Sequence, residues 1–182
     1  MRRREFLATA SAVAVGGCTI GGEPPERTFT VSAPAFEAEL PVRFTCDGEG
    51  VSPPLVVDGI PDPASSVAVV GEWFQDGAVP EWRTLWLVWD LPAEPFELPE
   101  DRPNGPELDD PAGAIQGTND EGFVGYRSPC HEIPGENSYR FVALAVESTP
   151  EIDPGANRDA FDDAIEPLIV ASDAVEVRYE RF

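Results

Sequence analysis

Twenty prolines and sixteen glycines cut this 182-residue chain into short apolar runs, and few architectures can be assembled from such pieces. Three of the runs, SSVAVVGEWF (65–74), TLWLVWDL (84–91) and YRFVALAVES (139–148), carry apolar residues on both faces, as buried central strands do. VEVRYERF (175–182) alternates apolar with charged residues and predicts a half-buried final strand. TFTVSAPAF (28–36) and LPVRFTC (40–46) predict a paired opening. One helix is predicted over 158–172, where Phe161, Ile165 and Leu168 recur at helical spacing behind Asn157 as cap; Pro167 would split or bend it. The Gly- and Pro-rich stretch 93–126 reads as a functional loop or pocket rim. The length suits one domain, mostly β, with a small helical element near its C-terminus.

Charge narrows the setting. Twelve arginines, no lysine and 34 acidic residues give a formal net charge of −22. The acids are dispersed along the chain and apolar content is an ordinary 42%, so the composition is that of a folded protein. Such a surface suits molar salt, where the Debye length falls to ~3 Å and self-repulsion is screened. The expectation is a halophilic protein. A basic patch able to neutralise phosphates is missing from the sequence, which argues against nucleic acid as a partner.

The N-terminus reads as an address. Arg2, Arg3 and Arg4 precede an apolar small-residue run (8–17) too short to span a membrane. RRREFL resembles a twin-arginine export signal, and VGGC (15–18) resembles a lipobox. The reading is a signal peptide over 1–17, a lipidated Cys18 with a polar tether over 18–26, and a domain over 27–182. Localisation would be the outer face of the cytoplasmic membrane, held by the lipid alone. An uncleaved signal anchor with an incidental cysteine is the competing reading. Cys46 and Cys130 then remain as an even pair, and a disulfide or two buried free thiols are both compatible with the sequence. A single histidine, His131, cannot supply a zinc cluster, and no cofactor or metal is expected.

Two loop segments attract attention. FTCDGEGVSPPL (44–55) ends on Pro53 and Pro54, which fix φ and lack amide donors; Asp47 and Ser52 can bond to nearby backbone amides and brace the turn. By itself this is an ordered loop without a function. In the second, residues 117–141, glycines at 117, 122, 125 and 135 permit close backbone approach, and Tyr126 and Tyr139 offer amphipathic rings. A cysteine–histidine nucleophile at Cys130–His131 is discounted because nothing supplies an orienting third group.

Taken in order, FTCDG…SPPL, a strand ending W-x-V-x-D-L-P, the glycine-rich G-x-N…GY-x-x-PC and a YRF strand resemble the phosphatidylethanolamine-binding protein family, in its prokaryotic Raf kinase inhibitor-like YbhB/YbcL branch. The resemblance covers residues 29–182. It implies a two-sheet β-sandwich with short C-terminal helices, and a small surface pocket that receives phosphate or other anionic head groups.

The sequence departs from the family at that pocket. Leu85-Trp86 stands where the family has His-Trp, and Asn137-Ser138-Tyr139 stands for His-Arg-Tyr. The family's Asp-Pro-Asp segment falls on 72–75 with Asp76 one step beyond, and its Gly-Pro-Cys-Pro-Pro turn becomes Ser128-Pro129-Cys130-His131-Glu132. Losing two imidazoles removes donors for an anion, and Glu72, Glu132 and Glu136 would repel one. The expected function is a non-catalytic, small-ligand module whose pocket is altered from the anion site. Trp86 and Tyr139 would form its walls, and Asp47, Glu72, Asp76, Ser128, Pro129, His131 and Asn137 its other contacts. The alternative is a protein-interaction or regulatory scaffold whose pocket has decayed.

Overall fold

The computed structural model describes residues 28–131 and 135–181. The export segment, Cys18 with its tether, and Glu132 lie outside the described residues.

Three short strands, β1 (Thr30–Ser32), β2 (Leu55–Asp58) and β5 (Phe96–Leu98), form a small antiparallel sheet in the order β1-β2-β5. A larger sheet contains β3 (Ser66–Gln75), β4 (Glu81–Leu91), β6 (Glu107–Asp109), β7 (Ala112–Gln116), β8 (Gly135–Val146) and β9 (Ile169–Arg181). Its order is β6-β7-β4-β3-β8-β9, antiparallel throughout. The result is a mostly-β, two-sheet fold.

Central strands apolar on both faces need cover on both sides. The inner face of the large sheet, with Val67, Val69, Phe141 and Ala143, packs with Leu55, Val57 and Leu98 of the small sheet. The outer face, with Ala68, Val70, Leu87 and Trp89, packs under helix α1 (Arg158–Ile165) through Phe161 and Ile165. Burying side chains of this size stabilises by roughly 1.5–3 kcal/mol each. The Asn157 carboxamide caps α1 by accepting from the Ala160 amide at 3.0 Å.

Three expectations need correction. The helix ends at Ile165; a single 3-10 turn containing Pro167 follows, and the apolar residues from Ile169 open β9 instead. Pro167 lacks an amide donor and closes the helix rather than bending it. The two opening segments do not pair with each other. β1 pairs with β2, and Val42–Phe44 is a 3-10 turn set by Pro41. The stretch 93–126 is not structureless, since β5, β6 and β7 all lie within it.

One irregularity decides which side chains share a face. Gly71 pairs with Trp86 but Glu72 pairs with Thr84, so Leu85 is a bulge in β4. Leu85 and Trp86 consequently both enter the inner core. A Cβ on Gly71 would sit 3.2 Å from both the Trp86 Cβ and the Phe141 ring, so the bulge packs against a position that needs glycine.

Candidate functional site

At one end of the large sheet the inner face changes from aliphatic to aromatic and polar. Trp73 on β3 pairs with Tyr139 on β8, and Tyr139 pairs with Val177 on β9. His131 comes from the loop before β8. Its ring lies 4.7 Å from Trp73, edge-on, and 5.9 Å from Tyr139, centroid to centroid. The Trp73 indole donates to Asp120 at 2.9 Å. Arg127 donates to both Asp120 oxygens at 3.1 Å, and its guanidinium lies 5.7 Å from the Trp73 ring. The Arg127 amide donates to the Leu85 carbonyl at the bulge, 2.9 Å away.

A second cluster flanks the first. Tyr179 donates to Asp47 at 2.8 Å, and Arg181 pairs with Asp47 at 2.9 Å. Arg181 also donates to the His131 carbonyl. The Cys46–Cys130 disulfide ties the segment carrying Asp47 to the segment carrying His131, which resolves the choice between a disulfide and free thiols. Gly48 turns so tightly that a Cβ there would lie 2.2 Å from the Val42 carbonyl oxygen.

Two buried polar atoms stand out. The Tyr139 hydroxyl and the His131 Nε2 are buried with no hydrogen-bond partner among the described residues. Burial, then the Arg127 and Arg181 charges, hold the His131 imidazole below its usual pKa, against a smaller opposing effect of Asp120. Burial chiefly pushes the Tyr139 hydroxyl well above the usual phenol range. Both groups are therefore neutral near pH 7, and the site presents hydrogen-bonding capacity rather than charge.

The structure gathers some of the sequence-derived site residues and separates others. Tyr139, His131, Asp47 and Asn137 lie together, Asn137 facing Tyr179 across the β8–β9 ladder. Pro129 is buried, and its carbonyl accepts from the Cys46 amide at 3.0 Å. Ser128 lies beside Gly50, 3.4 Å from the position a Cβ would take there. Trp86 is fully buried; its indole donates to Gln116 at 2.6 Å and its ring meets Tyr126 edge-on at 5.6 Å. The wall beside His131 is Trp73, a residue the sequence reading passed over. Glu72 faces the opposite side of the sheet, because strand alternation puts it back to back with Trp73. There it accepts from Arg140 and from Arg158, each at 2.5 Å. Asp76 is exposed in the turn after β3. Ser52 and Asp47 brace the fold over long range, Ser52 by accepting from the Arg102 amide at 2.8 Å.

Clefts border these clusters: one of ≈480 Å³ beside Tyr179 is lined by Leu40, Pro41, Val42, Glu136 and Arg178. One of ≈370 Å³ is lined by Trp82, Arg83, Thr84, Asp120 and Arg158, and one of ≈340 Å³ by Glu72, Arg140, Val142, Leu144 and Ile165. Among the described residues there is no cluster of three or more His, Cys, Asp or Glu able to hold a metal ion.

The family described as phosphatidylethanolamine-binding protein matches residues 30–180. The chain belongs to that family. Relatives include a UPF0098 protein of Pyrococcus horikoshii, 32% identical over 178 residues, covering 96% of this chain and 88% of that protein. A UPF0098 protein of Methanothermobacter thermautotrophicus is 34% identical over 142 residues, 78% of this chain and 91% of the relative. Among solved structures, a phosphatidylethanolamine-binding protein homologue of Chlamydia trachomatis aligns with a TM-score of 0.73 at 24% identity, over 86% of this chain and 99% of the other. Escherichia coli YbcL aligns with a TM-score of 0.72 at 23% identity, over 85% and 99%. These two likenesses carry the fold. The cluster of Trp73, His131 and Tyr139 therefore sits in a family scaffold.

Proposed function

We propose that this protein is an exported, lipid-tethered member of the family that binds a small neutral polar ligand and performs no catalysis. The observation that carries the reading is the pair of buried atoms with no hydrogen-bond partner among the described residues, Tyr139 Oη and His131 Nε2. Leaving such groups unpaired costs roughly 1–3 kcal/mol each, which a ligand offering one donor and one acceptor would offset. The neighbouring charges cancel in pairs, Arg127 with Asp120 and Arg181 with Asp47. A phosphate would find both guanidiniums already engaged and two carboxylates beside them. Leu85 at the bulge adds a fully buried apolar surface and no donor.

The test is a thermal-shift panel on the domain 27–182 in molar salt, with inorganic phosphate, ethanolamine, glycerol and acetamide as probes. Stabilisation by a neutral probe that is lost in Tyr139→Phe supports the reading. Stabilisation by phosphate alone, or by none of the four, overturns it. The address has its own test: Cys18→Ser moves the full chain from the membrane fraction to the soluble one, and continued membrane association refutes lipid tethering.

A further inference from the structure

The Cys46–Cys130 disulfide joins two segments that are otherwise held together sparsely. Among the described residues, the buried Tyr126 hydroxyl donates to the Phe44 carbonyl at 2.9 Å, one backbone bond links Cys46 to Pro129 at 3.0 Å, and beyond Cys130 the partly exposed Arg181 bridges Asp47 to the His131 carbonyl. Cys130 is exposed and Cys46 half-buried, so the bond lies within reach of a reductant. The next residue, His131, lies against Trp73 and Tyr139 and contributes to burying the Tyr139 hydroxyl. Chain order thus makes the disulfide the fixed end of the segment that closes the site. The arginine bridge is solvent-accessible, with its two side chains each 30% exposed. Ion pairs this exposed hold little by themselves, and less in molar salt.

We propose that the Cys46–Cys130 disulfide is a redox latch that keeps His131 over Tyr139, and that its reduction opens this site. The inference rests on reading the site as a ligand site, and it assigns that site a regulator. The reaction consumes one dithiol per disulfide. A thiolate of the reductant attacks Cys130 Sγ, the S–S bond breaks, and Cys46 leaves as a thiolate that takes up a proton. The second reductant thiol, as its thiolate, then displaces Cys130 from the mixed disulfide. Cys130 is released and protonated, and the reductant leaves as its own disulfide. Two electrons and two protons pass to the protein. Beyond Pro129, the His131 end then keeps, among the described residues, the partly exposed bridge and its ring contacts with Trp73 and Tyr139.

His131 is the one histidine in the chain, so its imidazole proton resonances need no assignment. The experiment compares the folded domain before and after dithiothreitol, and the Cys46→Ser/Cys130→Ser variant, by proton NMR with a soluble gadolinium chelate. Circular dichroism confirms that each sample keeps its β spectrum, and Trp73→Ala, which removes the ring His131 lies against, supplies the reference for an exposed His131 with the disulfide intact. The result expected is that reduction shifts the His131 resonances, increases their broadening by the chelate, and raises the imidazole titration towards the ordinary 6.5. Identical shifts, broadening and titration in the oxidised and reduced states overturn the latch. If the double serine variant does not fold, the dithiothreitol comparison on the wild-type domain decides alone. Failure of every ligand probe in both states, with His131 released on reduction, would refute the ligand reading and leave the latch standing.

Discussion

Trp73 meets His131 edge-on at 4.7 Å, and this contact closes the end of the inner sheet face. The indole is also anchored to Asp120, which in turn holds Arg127. One side chain therefore joins the aromatic cluster to its charged border. Trp73→Ala removes both roles. Because Trp73 is only half-buried, the expected cost is about 2 kcal/mol, below the 3–5 kcal/mol of a fully buried tryptophan. Urea unfolding in molar salt measures it. The same variant should expose the Tyr139 hydroxyl and admit larger probes than the wild type; an unchanged probe panel would show that Trp73 is packing alone.

Glu72 offers a sharper stability test. Its carboxylate is 1% exposed and is shared between Arg140 and Arg158. Arg140 also stacks on Trp82 at 4.0 Å, and Arg158 pairs with Asp162. Glu72→Gln keeps the shape and removes the charge, leaving two guanidiniums with one neutral accepting oxygen and an amide donor in place of the second. Breaking a buried pair this way costs roughly 3–5 kcal/mol. Both arginines keep about a third of their exposure, so about 2 kcal/mol is expected after solvent screening. Denaturant midpoints read this directly, and ligand binding at the Tyr139 end should be untouched because Glu72 faces the other side of the sheet.

These two neighbours also show where the sequence was legible. The long central strands could be read from their apolar runs, and the final strand from its alternation. Orientation could not be read from β3. Val67 to Val70 are apolar without a break because one face meets the small sheet and the other meets α1. With no alternation to fix parity, Glu72 and Trp73 were equally eligible for the site. The bulge at Leu85 leaves no local signal either, since it arises from pairing with Gly71 in another strand. The turn at Val42–Phe44 carries strand-forming residues, and tertiary context overrides their propensity. Tyr139, His131 and Asp47, which the structure brings near one another, were named from the resemblance to the family, which supplied the register that periodicity lacked.

The His131 titration gives stability a defined pH dependence. Its imidazole titrates below the ordinary 6.5, held down first by burial and then by Arg127 and Arg181. Above pH 6.5 the group is neutral in both folded and unfolded chains and contributes no dependence. As pH falls from 6.5 towards the depressed folded value, the unfolded chain takes up a proton that the folded chain refuses. Stability therefore declines across that window and stops declining, for this group, below the folded pKa. Urea midpoints of the wild type and His131→Gln, measured from pH 7.5 to about 5, should converge as pH falls. Parallel curves would show that His131 is not the group responsible.

The disulfide links residues 84 apart in sequence, so its largest effect is expected on the unfolded chain. Closing a loop of this length restricts the denatured ensemble by about 4.6 kcal/mol on the chain-entropy account. Cys46→Ser/Cys130→Ser should lower the unfolding free energy by that order, and the reduced wild type should show nearly the same loss. The m-value should rise in both, because an unlinked unfolded chain exposes more surface to denaturant. A loss with an unchanged m-value would place the effect in the folded state, in the contacts of His131 with Trp73 and Tyr139. Adding His131→Ala to the double serine variant separates the two. If the disulfide acts on the folded site by fixing His131, that substitution costs less in the unlinked background than in the oxidised one.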